Sequence, residues 1–106
     1  MQIMFHTHHA EVSDHMRRRA EQTLRKVARR AARPVDAAIR FQQDGALRRV
    51  ELTLHTSSGR RYVARSEDRY FGPALATAAR RLAMQLAHTK RTRKARARRN
   101  GRAGTS

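Results

Sequence analysis

Four residues near the N-terminus, His6-Thr7-His8-His9, are the first whose types and spacing suggest chemistry. His6 and His8 are two apart, so on an extended chain they share one face, and His55 lies in a later strand pattern that could approach them. A zinc centre usually needs four closed ligands drawn from Cys, His and carboxylates. The chain has no cysteine, and no carboxylates cluster near these imidazoles. His6 and His8 are therefore read as solvated side chains, with no metal and no cofactor expected. Eight acidic residues are scattered among 25 Lys and Arg, without the spacing of a paired-carboxylate site. No glycine-rich phosphate loop or nucleophile elbow is present. The expectation is a binding protein, not an enzyme, with Asp14, Glu51 and Asp68 serving helix ends and a strand surface.

The cations carry the stronger signal. All eight acidic residues lie at or before Asp68, and the 38 residues that follow hold eleven Lys or Arg and no acid. Such a run of like charge repels itself until something negative neutralises it. Nucleic acid phosphate is the commonest such partner. A membrane-surface helix would set large apolar residues beside its cations, whereas nothing apolar larger than Ala follows Leu86. Of the 25 cations 22 are Arg, a bias that codon supply in a GC-rich genome also produces. No stretch approaches the roughly 20 apolar residues of a membrane span, and no hydrophobic block marks a signal peptide. A soluble, cytoplasmic protein is expected. At 106 residues there is room for one domain, burying about two thirds of its unfolded surface.

The elements that must position these cations can be read from periodicity. Residues 2–8 alternate, with Ile3 and Phe5 on one side, as a half-buried strand should. Ser13 offers an N-cap and Asp14 suits the positive end of a helix dipole. Met16, Ala20, Leu24, Val27, Ala28 and Ala31 then form an apolar helical stripe, leaving Arg18, Gln22, Arg25, Lys26, Arg29 and Arg33 on the far side. Pro34 cannot continue a helix, so the helix is expected to stop at Arg33. Val35, Ala37, Ile39 and Phe41 alternate with polar residues, Asp44-Gly45 marks a turn, and Val50, Leu52 and Leu54 alternate again. After the turn at Ser57-Ser58-Gly59 a last strand runs from about Arg60 to Ser66, with Tyr62 and Ala64 inward. Only one sheet face is apolar, so helices must cover it.

The second helix places Phe71, Leu75, Ala78, Ala79, Leu82 and Leu86 on one side and Arg80, Arg81, Met84, His88 and Arg91 on the other. Asp68 is a good N-cap, but Gly72-Pro73 sets Pro one position too deep for a regular first turn, which puts the helix start near Phe71 to Pro73. From about Thr92 the apolar face disappears and small residues alternate with Arg and Lys, expected as a helical extension that frays into a basic tail ordered by its partner. The expected division is a domain over 1–91 and an Arg-rich tail over 92–106. The three Phe and two Tyr fall mostly on core positions, so no stacking platform for single-stranded bases is expected, with Tyr70 the exception. Recognition should rest on phosphates and RNA shape.

The order β-α-β-β-β-α and three stretches of sequence resemble the ribosome hibernation promoting factor family, also called ribosome-associated inhibitor or sigma-54 modulation proteins, in its short form. The stretches are Met1-Gln2-Ile3 leading through His9-Ala10-Glu11-Val12-Ser13-Asp14, then Val50-Glu51-Leu52-Thr53-Leu54-His55 before Gly59, and Asp68-Arg69-Tyr70-Phe71-Gly72-Pro73-Ala74 with Leu82-Ala83-Met84-Gln85-Leu86. The likeness covers about residues 1–94. It implies an α+β fold, a four-stranded mixed sheet with both helices packed on one face, similar to a double-stranded RNA-binding domain. It also implies binding to rRNA of the small ribosomal subunit in the mRNA and tRNA channel, inhibiting translation under stress. No membrane, no small-molecule substrate and a monomer off the ribosome are expected with it. Positions matching the family's ribosome-facing cations are Arg25, Lys26, Arg29 and Arg33 on the first helix and Arg80, Arg81, His88, Lys90, Arg91 and Lys94 on the second; Arg18 joins them from the helical stripe. Gly72-Pro73 departs from the family's Ala-Ala, and the tail is more basic than in a typical short member. A general RNA- or DNA-binding protein dominated by that tail is the alternative.

Overall fold

A computed structural model describes the backbone of residues 1–104 and the side chains of residues 1–92. The elements follow one another as β1 (Gln2–His8), α1 (Asp14–Ala28), β2 (Pro34–Asp44), β3 (Leu47–Thr56), β4 (Arg61–Asp68) and α2 (Phe71–Gly104). The sheet order is β1-β2-β3-β4. β1 and β2 are parallel, while β2–β3 and β3–β4 are antiparallel. A parallel pair needs a crossover that returns the chain to its starting end, and α1 is that crossover. The antiparallel pairs need only tight turns. Asp44 pairs with Leu47, so Gly45-Ala46 closes a two-residue hairpin. Gly45 takes φ +61 at the first central position, where such loops favour glycine.

Register sorts the side chains onto two faces. Ile3–Ala37–Leu54–Tyr62 and Phe5–Ile39–Leu52–Ala64 are rows across the covered face. They join Ala20, Leu24, Val27 and Ala28 of α1 and Phe71, Leu75, Ala78, Leu82 and Leu86 of α2 in one core. Both expected helical stripes are therefore the stripes that are buried, with Met16 and Ala31 packed at the edge. Phe41 and Phe71 meet edge to face, ring centroids 5.3 Å apart, a favoured aromatic arrangement. Burying these faces, at about 25 cal/mol per Å² of apolar surface, is what fixes the helices on the sheet.

Two expectations change. α1 ends at Ala28, five residues before Arg33: the chain tightens into turns in which Arg30 N donates to Val27 O and Ala31 N to Ala28 O, both at 3.0 Å. Arg33 then takes φ +53 while its carbonyl accepts from Ser57 N at 3.0 Å, so the turn into the sheet starts well before Pro34. Val35 is 50% exposed, because the β2–β3 register shifts between Pro34 and Asp36 and breaks the alternation that would have buried it. α2 begins at Phe71, inside the expected range of Phe71 to Pro73, with Pro73 in its first turn. The first four N–H groups of a helix have no partner within it, so the missing proline donor costs no helical bond there. Ala74 N makes the bond to Tyr70 O at 3.3 Å, and Asp68 Oδ1 accepts from Tyr70 N at 3.3 Å. Ser13 caps α1 as expected, its Oγ accepting from Met16 N at 3.1 Å. α2 is continuous across the expected boundary at 91/92.

Candidate nucleic-acid interface

Periodicity decides which way the α1 cations point. A helix brings residues three and four apart onto one face, so once Ala20, Leu24 and Val27 are buried, Arg18, Lys26 and Arg29 lie on the side away from the core, and all three are exposed. On α2 the burial of Leu75, Ala78, Leu82 and Leu86 leaves Arg80, His88 and Arg91 outward at the same spacing, around Met84, which is 66% exposed. The two helices run parallel. Gly72, in the first turn of α2, lies against the Arg19 guanidinium, while Arg30, just past the end of α1, lines a cleft with Lys90 of α2. Two cationic stripes thus lie side by side on the helical layer.

The charges on the two sides of the molecule differ sharply. From Asp14 to Arg30 and from Phe71 to Thr92 there are eleven exposed Lys or Arg against two carboxylates, Asp14 and Glu21. The open sheet face carries the rows Gln2–Asp36–His55–Arg61, His6–Arg40–Glu51–Arg65 and His8–Gln42–Arg49–Glu67. That is four Arg against three carboxylates, and they alternate. Arg49 Nε donates to Glu67 Oε1 at 2.8 Å, and His55 Nδ1 lies 2.7 Å from Asp36 Oδ1. Mutual pairing keeps this face close to neutral, while the helical layer has a large unpaired surplus of positive charge.

The sequence-expected cations do not all have the same duty. Arg25 is engaged within the protein: Nε and Nη2 donate to Glu21 Oε1 at 3.2 and 3.0 Å, and Nη1 donates to the Met1 carbonyl at 3.2 Å. Arg81 Nη1 donates to Arg65 O at 2.6 Å, and next to it Gln85 Nε2 donates to Val63 O at 2.8 Å. β4 is an edge strand, and these two side chains occupy carbonyls that would otherwise be open to another strand. Arg33 is exposed beside Ser57 at the far end of α1, and Lys90 is exposed at the mouth of the cleft with Arg30. Lys94 lies outside the residues whose side chains are described. Sequence reasoning passed over Arg19 and Arg30, which lie on the flank of α1 nearest α2. Nothing in a single helix marks that flank, because it is defined by the neighbouring helix.

The imidazoles do not converge. His55 sits in the row of Gln2 and Asp36, two rows from His6, and among the described residues no group of three or more His, Cys, Asp or Glu could hold a metal ion. Among the described residues no helix is long and apolar enough to cross a membrane. Of the aromatics, Tyr70 is 67% exposed at the start of α2, but Tyr62, expected inward, only partly enters the core and lines the Arg30–Lys90 cleft.

Among solved structures the chain resembles a ribosomal subunit interface protein from Coxiella burnetii, with a TM-score of 0.75 and 17% identity over 85% of this chain and 98% of that one. It also resembles the N-terminal domain of Protein Y from Thermus thermophilus, with a TM-score of 0.73 and 22% identity over 84% and 99%. At these identities the likeness is one of fold. A search of curated proteins finds no significant match. The model of one sequence family, sigma 54 modulation protein / S30EA ribosomal protein, matches residues 3–94, spanning every strand, α1 and most of α2, and the chain belongs to that family.

Proposed function

We propose that this protein is a ribosome-associated translation inhibitor that acts by occlusion. Its helical layer seats on rRNA of the small subunit, and the bulk of the domain fills the channel that mRNA and tRNA need, under stress conditions in which translation is shut down. The observation that carries this reading is the segregation of charge: eleven cations against two carboxylates over the helices, and a nearly neutral opposite sheet face. One face attracts phosphate and the other does not, so the domain has a defined orientation on an RNA surface. Family membership and the likeness to a ribosomal subunit interface protein support the choice of RNA. The mechanism requires no catalysis and no cofactor.

The test is to reverse Arg18, Arg29, Arg80 and Arg91 together to Glu. All four are exposed, and none of their side chains donates a hydrogen bond within the protein among the described residues. Cosedimentation with small subunits should be abolished while the thermal melt stays unchanged; retained cosedimentation refutes the surface.

A second reading has its own observation. Residues 93–106 carry six Lys or Arg and no acid, enough for general RNA or DNA coating in which the folded domain is a passenger. The salt dependence of a truncated chain separates the two.

A further inference from the structure

Between the chain just past the end of α1 and the middle of α2 lies a cleft of about 310 Å³, at the small end of the roughly 300–1,000 Å³ range of ligand pockets. Leu86 and the half-buried Tyr62 give it apolar and aromatic walls, Thr89 adds a hydroxyl, and Arg30 and Lys90 stand exposed around it. None of its lining residues is acidic. The combination is specific. A flat apolar ring would fit against Tyr62 and Leu86, and an anion attached to that ring would lie between two cations that have no carboxylate partner among the described residues. Arg30 and Lys90 belong to both the cleft and the cationic helical layer, so an RNA backbone held by that layer lies next to the cleft.

We propose that this cleft holds a single unpaired nucleotide of a bound RNA, the base against Tyr62 and its phosphate between Arg30 and Lys90. The inference rests on the RNA-binding reading above and adds a preference to it. A nucleotide turned out of its helix is favoured over one that is paired, because only the former exposes a ring face for stacking. The volume excludes a helix and admits one nucleotide.

The test compares two RNA hairpins of equal length and charge, one fully paired and one with a single bulged 2-aminopurine, binding to the full-length chain. The bulged hairpin should bind about tenfold more tightly, the order of effect one stacked base supplies, with the 2-aminopurine fluorescence quenched. Two variants keep the test decisive if one fails to fold: Tyr62→Leu removes the ring, and Ala32→Leu fills the mouth from an exposed position. In each folded variant the preference should fall to about one while affinity for the paired hairpin is unchanged. Equal affinity of the natural protein for both hairpins, or a preference that survives the substitutions, overturns the proposal. So does AMP or a hexaglutamate peptide binding as tightly as the bulged hairpin and losing affinity in the same variants. Small-subunit cosedimentation of the natural protein keeps the two proposals apart: equal binding of the two hairpins with cosedimentation intact removes only the cleft, and a preference for the bulged hairpin without cosedimentation removes only the ribosomal reading.

Discussion

Arg80 and Arg81 are adjacent, both exposed and both on the polar side of α2, yet they do different work. One residue is 100° of helix, enough to carry Arg81 over the edge of β4, where it donates to Arg65 O at 2.6 Å, and to leave Arg80 facing solvent. Arg81→Ala leaves that carbonyl to water and should lower stability by about 1 kcal/mol in a urea melt. Arg80→Ala should stay within about 0.5 kcal/mol of the parent and instead weaken RNA binding uniformly across sequences, reducing the slope of log affinity against log salt by about 1. The reverse assignment would show that the helix is rotated relative to the sheet. Arg25 belongs with Arg81: its guanidinium already holds Glu21 and the Met1 carbonyl, so Arg25→Ala should affect the β1 edge and stability before it affects phosphate binding.

At the level of elements, local sequence governs starts better than ends. The Ser13 cap and the Asp68-to-Phe71 entry are set by residues within three positions of each other, whereas α1 stops at Ala28 and the chain beyond it is tied down where Arg33 O accepts from Ser57 N, a contact 24 residues away. Two glycines illustrate the difference. Gly45 sits at φ +61 with open space around it, so Gly45→Ala should destabilise by about 1 kcal/mol, the penalty for a side chain in the left-handed region. Gly72 is in the first turn of α2, directly before Pro73; beyond its chain neighbours a Cβ there would meet the Arg19 Nη1 at 3.3 Å, the far end of a flexible, exposed side chain that can withdraw by a few tenths of an ångström. In helical geometry the same Cβ crowds the fixed Pro73 ring, so Gly72→Ala should stay within about 0.5 kcal/mol of the parent, the gain from reduced unfolded-state entropy being offset. Paired melts of the two variants, one clearly lowered and one nearly unchanged, check both statements.

For the whole molecule the governing quantity is the net charge of +17 and how it is spread. If the folded domain provides specificity and residues 93–106 only add charge, deleting those residues should flatten the salt slope on duplex DNA by about 5, six cations at about 0.9 each, while selectivity for small subunits over bulk RNA survives. Loss of selectivity with the tail would instead make the domain the passenger. Measuring both quantities on the same truncated protein decides between the readings, because a nonspecific coat is lost in proportion to its charge and a seated domain is not.

Much of this molecule is already present in its linear order of residues. The periods of 2 and 3.6 in the apolar positions determine which faces of β1–β4, α1 and α2 are buried, because solvent exclusion acts on a stripe whatever it packs against. The placement of all eight acids at or before Asp68 determines that the last 38 residues are purely cationic. Packing decided the rest. The register shift at Pro34/Asp36 exposes Val35, and the contact with Ser57 ties down Arg33 beyond the helix. The neighbouring β4 edge occupies Arg81, and the approach of the end of α1 to the middle of α2 turns Tyr62 from a core residue into the wall of a cleft between Arg30 and Lys90. In each case the partner lies far away along the chain, and a periodic pattern contains no record of what will stand opposite it.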